Sequence, residues 1–179
     1  MNSDTSSTNI QRRALAAPTS AVTIIDTNLL DQAVQASRVN DRGRIILPLH
    51  KSADETLHRM FNALQPGTYI PPHRHAQPFK AESILVLRGS LCFVIFDESG
   101  RVTQMTDLTV GTERIGVDIS AGIYHTFFIL ASDTVVFEVK PGPFSPIDDK
   151  DFAPWAPREG EAGAAEYLAN LQRLRPGQI

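Results

Sequence analysis

Hydrophobic and polar positions follow two different rhythms along this chain. Over residues 28–37, Leu30, Ala33, Val34 and Ser37 recur at a period near 3.6, which predicts a short helix with one apolar face. Asp26, Thr27 and Asn28 stand ahead of it as N-cap candidates. From residue 44 to residue 140 the rhythm shortens. Runs rich in Ile, Val, Leu and Phe at 44–47, 56–64, 68–70, 82–87, 91–96, 102–108, 114–119, 125–130 and 134–139 alternate with breaks such as Gln65-Pro66-Gly67 and Arg88-Gly89. Many short strands joined by tight turns predict an all-β sandwich or barrel, not a doubly wound sheet.

The flanks differ from this centre. Residues 1–23 are rich in Ser, Thr, Asn and Ala without an apolar period, so a mobile tail is expected there, followed by a helix and linker over 24–43. The barrel is expected over 44–140. After it, Pro141, Pro143, Pro146, Pro154 and Pro157 argue against regular structure. Phe152 and Trp155 are expected to pin this stretch to the barrel. A last helix is expected over 162–173, where Tyr167, Leu168, Leu171 and Leu174 form a stripe, so 141–179 reads as a Pro-rich segment plus a helix packed on the barrel. At 179 residues the chain suits one core.

Charge and cysteine narrow the classes. The net charge of -3 and pI near 5.9 come without a basic stripe, which argues against a nucleic-acid partner. No polybasic cluster flanks an apolar face, and no run approaches the ~20 apolar residues of a bilayer span, so no membrane role is expected. Arg12-Arg13 precedes an apolar stretch that Pro18 cuts short, which does not read as an export signal. Cys92 is the single cysteine, so no internal disulfide forms and a reducing, cytoplasmic setting fits. It lies in an apolar run and reads as a small buried hydrophobe.

The chemistry sits in two segments. The first is Gly67-Thr-Tyr-Ile-Pro-Pro-His73-Arg-His75, with six residues to Glu82 and six more to Gly89. The second is Gly116-Val-Asp-Ile-Ser-Ala-Gly122-Ile-Tyr-His125. Residues two apart in a strand share a side, so His73 and His75 face inward together while Arg74 faces out. The six-residue gap allows a turn that returns Glu82 beside them, and His125 arrives from across the barrel. Three neutral imidazoles and one carboxylate suit one divalent transition metal (Fe, Mn, Ni, Co or Zn), leaving the centre near +1 and, if octahedral, two open positions.

These segments resemble the two cupin motifs, Gly-x5-His-x-His-x3/4-Glu-x6-Gly and Gly-x5-Pro-x-Gly-x2-His-x3-Asn. Here the gap before Glu82 is six residues, Ser120 stands at the Pro position and Ile129 at the Asn position. Arg59-Met-Phe-Asn-Ala-Leu64, Pro72-His-Arg-His75, Phe137-Glu-Val-Lys-Pro-Gly-Pro143 and Asp149-Lys-Asp-Phe-Ala-Pro-Trp-Ala-Pro157 further resemble the WbuC family of cupin-fold metalloproteins. That resemblance implies a double-stranded β-helix (jelly-roll) barrel, a divalent metal and a place in bacterial O-antigen polysaccharide metabolism. Cupin-like barrels often pair edge strands, so a homodimer is expected.

Around this centre His58, His50 and Tyr69 are candidates for proton transfer or the mouth of the site. Arg59, Lys80, Arg88 and Lys140 are candidates for binding an anionic ligand. Three functional classes remain open: an enzyme on a small sugar-derived molecule (isomerase, epimerase or dioxygenase), a non-catalytic saccharide or small-anion binding module, and a metal-stiffened assembly subunit.

Overall fold

The computed structural model describes residues 13–76, 79–145 and 150–175. Within them the order is α1 (Thr27–Arg38), β1 (Arg44–Pro48), β2 (Leu57–Leu64), β3 (His73–Arg74), β4 (Glu82–Arg88), β5 (Ser90–Phe96), β6 (Val102–Thr109), β7 (Gly116–Ile119), β8 (Tyr124–Ile129), β9 (Thr134–Pro141), β10 (Asp151–Phe152) and α2 (Ala164–Arg173). The strands form two five-stranded sheets, β1-β2-β9-β4-β7 and β10-β3-β8-β5-β6. All pairings between these strands are antiparallel. β2 lies beside β9, β3 beside β8 and β4 beside β7, so the chain returns on itself in nested pairs. That is the jelly-roll, double-stranded β-helix order the motifs led us to expect. Leu64, Ile84, Phe93, Leu108, Phe127 and Val136 fill the space between the sheets.

Each sheet carries one helix on its outside. Asp26 caps α1 by accepting from the Leu29 amide at 2.9 Å, and Leu30, Ala33, Val34 and Ser37 are the residues it buries. They pack on Phe61, Ala63 and Val135. This settles the face of β2 that alternation left open. Phe61 and Ala63 turn out beneath α1, so His58, Met60, Asn62 and Leu64 turn into the barrel. α2 closes the other sheet: Leu168 and Leu171 cluster with Cys92, Val94 and Phe128. Trp155 lies 5.0 Å from the Phe96 ring and 5.8 Å from Tyr124 between ring centroids.

Several expectations need correction. Residues 68–70 form no strand, because Pro71 and Pro72 lack the donors that would extend a ladder there. The run at 114–119 enters its sheet only at Gly116, since Thr109 and Arg114 close a turn before it. The prolines do not abolish regular structure: β9 runs to Pro141, and β10 pairs Phe152 with His73. Residues 1–12 of the expected tail lie outside the described residues, while Ala14 forms a parallel bridge with Ile46. Among the described residues no helix is long and apolar enough to cross a membrane.

Phe61 is 0% exposed and joins α1 to its sheet, so Phe61→Ala should cost about 3–5 kcal/mol in urea unfolding. Cys92 is equally buried, and burial, with Asp107 beside it, pushes its thiol up to about 12. Iodoacetamide at pH 8 should leave the native protein unlabelled and alkylate the chain only in denaturant.

Candidate metal centre

The two histidine segments meet because β3 and β8 are neighbours. Their one paired position is His73 opposite His125. His75 follows immediately, and its carbonyl accepts from the Gly122 amide at 3.1 Å, tying the end of β3 to the turn before β8. Strand alternation sends Arg74 outward, to Asp151 at 2.8 Å and Glu98 at 2.9 Å, and over the Tyr124 ring. An Ala76–Phe79 bridge turns the chain back, and β4 then opens with Glu82. His73, His75, Glu82 and His125 are all buried, and one donor atom from each lies within 4.8 Å of the others. Ligands held about 2.0–2.2 Å from one ion stand roughly 3–4.4 Å apart, so this spread needs to close by only about half an ångström to hold one.

Two of the imidazoles have one ring nitrogen fixed by a backbone carbonyl. His73 Nδ1 lies 3.0 Å from the Pro71 carbonyl, and His125 Nδ1 lies 2.8 Å from the Ile123 carbonyl. A carbonyl only accepts, so each Nδ1 carries the hydrogen and each Nε2 presents a lone pair inward. Glu82 Oε2 is 3.2 Å from His75 Nε2 and 3.4 Å from His125 Nε2, yet makes no hydrogen bond. Lone pairs facing one another in a dry site repel unless a cation lies among them. The donor set therefore fits a metal ion. Backbone carbonyls orienting the outer ring nitrogens are the usual outer shell of histidine ligands.

Electrostatics supports the protonation state such a centre needs. Burial, helped by Lys150, His125 and His75, holds His73 well below the usual imidazole range, so it is neutral at pH 7.

The wall beside the quartet is polar. Register places His58 opposite Lys140, Met60 opposite Glu138 and Asn62 opposite Val136. On the far side of β9, Glu138 faces Ile84 and Val139 faces Ser83, so Lys140 comes opposite Glu82. Glu138 was not among the sequence candidates. Asn62 Nδ2 donates to its Oε2 at 2.8 Å, and Lys140 Nζ stands 3.3 Å from its Oε1. Burial, then the Glu82 charge, raises the Glu138 carboxyl against the pull of Lys140. The signal was present: Glu138 and Lys140 sit two apart in an apolar run, on the face Val136 gives to the core.

The remaining candidates divide. Lys80 and Lys140 are buried, and Lys80 Nζ donates to the Pro143 carbonyl at 2.7 Å near the start of β4. His58 also turns inward, stacked on His50 with centroids 4.0 Å apart, and its Nε2 donates to the Ala53 carbonyl at 3.1 Å. A Cβ at Gly142 would meet the Glu55 carbonyl at 1.8 Å and the His58 ring at 2.8 Å, so only glycine lets β9's exit pass this stack. Three expectations are not brought to the quartet. Arg59 shares the outer face of β2 and pairs with Glu55. Arg88 ends β4 some 20 Å from Glu82 by strand rise and pairs with Asp31 of α1. Tyr69 donates to the Pro157 carbonyl at 2.8 Å and packs against Tyr167 under α2. A surface hollow of about 440 Å³, lined by residues 101–105 and Leu174, lies on β6 at the sheet edge and does not mark the chemistry.

A family model described as "Domain of unknown function (DUF6016)" matches residues 25–108, which includes His73, His75 and Glu82 and stops before His125. Comparison with curated proteins returned no match. Among solved structures, the chain is similar to the capsular polysaccharide assembling protein CapF from Staphylococcus aureus (23% identity, TM-score 0.49, 64% of this chain and 30% of that one). It is also similar to oxalate decarboxylase from Bacillus subtilis (22%, 0.47, 61% and 27%) and to the Lactobacillus farciminis oxalate decarboxylase formate complex (22%, 0.43, 56% and 28%). The chain thus spans less than a third of the length of each of these three. The fold assignment rests on the strand order itself.

Burial and the charges of His50, Lys140 and Lys80 lower the pKa of His58 below its ordinary 6.5. The unfolded chain then binds a proton that the folded chain refuses. This part of the stability is complete above about pH 6.5 and is lost as pH falls toward the folded value. Thermal melts from pH 8 to pH 5 should show a smaller acid loss for His58→Gln than for the wild type, and equal slopes would contradict the assignment.

Proposed function

We propose that the quartet holds one divalent transition-metal ion and that the chain is a metal-binding cupin acting on a small polar, sugar-derived molecule. The observation that carries this is the buried Glu82 Oε2, which faces the lone pair of His125 Nε2 and lies 3.2 Å from His75 Nε2 without a hydrogen bond. A bound ion would supply Lewis-acid polarisation of a carbonyl or enediolate oxygen. The chain's residues supply the rest. Pro71 and Ile123 orient two ligands, Phe93 and Phe127 keep the inner side dry, and Lys140 and Glu138 offer a charged pair beside Glu82. This suits isomerisation or epimerisation, and the same ligands around iron suit oxygen activation. The polysaccharide setting rests on the WbuC resemblance. A binding module is the second reading. It would use the same centre without moving a proton.

Elemental analysis of untagged protein should find about one equivalent of transition metal in the wild type, with His73→Ala and His125→Ala losing it. Wild-type protein that stays metal-free after reconstitution would leave these histidines as acid–base or core residues of a metal-free barrel.

A further inference from the structure

Across the inward faces of β2, β9 and β4, register builds three layers. The deepest is Asn62 and Val136 with Val86. The middle one is Met60, Glu138 and Ile84. The one nearest the quartet is His58, Lys140 and Glu82. Cross-strand neighbours in a layer stand about 5 Å apart, so the Glu138–Lys140 pair adjoins Glu82 within one or two side-chain lengths. The pair is fixed in place: Asn62 holds one Glu138 oxygen at 2.8 Å, and Lys140 stands 3.3 Å from the other. The Lys140 side chain is 7% exposed and that of Glu138 13%. An ion pair placed this deep carries a desolvation cost that apolar residues would avoid, so stability alone gives no reason for it.

We infer that Glu138 and Lys140 select the ligand of the proposed metal centre, and that this ligand is a small hydroxy carboxylate, the chemistry of a sugar acid. Its carboxylate meets the ion and Lys140, and its hydroxyl donates to Glu138. The inference rests on the metal reading above. The complement of an adjacent acid and ammonium is a ligand with a donor beside an oxyanion. A carboxylate offers about four acceptor positions; Asn62 and Lys140 engage two and the Glu82 carboxyl lies against it as well, which leaves room for one ligand donor. An α-amino acid presents the same pattern, but its ammonium would approach an ion left near +1 by three neutral imidazoles and one carboxylate. A hydroxyl brings the donor without that repulsion.

Calorimetric titrations of metal-loaded protein with glycolate, acetate, glycine and ethylene glycol test this, with metal content measured in each sample. Wild type should bind glycolate about tenfold or more tighter than acetate or glycine, and ethylene glycol not measurably. Lys140→Met should weaken glycolate and acetate alike by about tenfold, and Glu138→Gln should weaken glycolate toward acetate while leaving acetate unchanged. Glu138→Gln is isosteric and Lys140→Met is one atom shorter; the two are read separately, so misfolding of one leaves the other informative. Glycolate binding insensitive to both substitutions in metal-replete protein overturns the inference and leaves the metal reading standing. Equal affinity for glycolate and acetate, or for glycolate and glycine, overturns it too. A wild type that takes up no metal removes both.

Discussion

The convergence of Glu82 with three imidazoles is the constraint on which the rest of the site depends, because it joins the two sheets where little else does. Glu82 opens β4 in the sheet under α1, while His73 and His125 belong to the sheet under α2. β3 holds to β8 through one paired position, and that position is two of the ligands. At the other end of the barrel, Leu64, Val86, Leu91 and Leu108 close the sheets by ordinary apolar burial. At the ligand end the same space is given to groups that repel one another without a cation. A bound ion would replace apolar packing as the link between layers.

The polar wall follows from that arrangement. Once the interior near β4 holds a carboxylate, its neighbours on β9 must suit a charge as well as a volume. Lys140 opposite Glu82 does so, and Glu138 in turn is held by Lys140 and Asn62. One step deeper the wall is Val136 and Val86, with Asn62 beside them as the one polar group, turned to Glu138. The polarity gradient on β4 and β9 is thus steep, and it leaves the charged groups at one end. Dry walls strengthen each interaction there and penalise every unmatched group, which favours a ligand of complementary charge over water.

Periodicity made much of this legible. The apolar face of α1 is the one it buries, and the His73, Arg74, His75 alternation is the one the barrel uses, because both depend only on near neighbours in sequence. What escaped depends on distant ones. β2 is buried on both faces, under α1 and in the barrel, so its pattern could not say that Arg59 turns out and His58 in. Arg88 was a candidate for a cationic rim, but six residues of extended strand carry it from Glu82 to the other end. Glu138 was passed over because its importance comes from β2 and β4 on either side, which no local window contains. β10 is two residues long and exists only because β3 offers an edge.

A structural role and a chemical role for the centre are not alternatives that stability can separate. Because the quartet bridges the two sheets, removing an ion would loosen the barrel whether or not the ion ever met a substrate. The distinction lies in the wall instead. A purely structural ion needs only its four ligands and a dry surround, and replacing Glu138 and Lys140 by apolar residues of similar size would serve it as well or better. A centre that receives a charged molecule needs fixed charges beside it, oriented before the molecule arrives. Asn62 and Lys140 hold Glu138 in that prepared state, at a depth where solvation cannot substitute for them. The buried ion pair is therefore better explained by a ligand than by the fold.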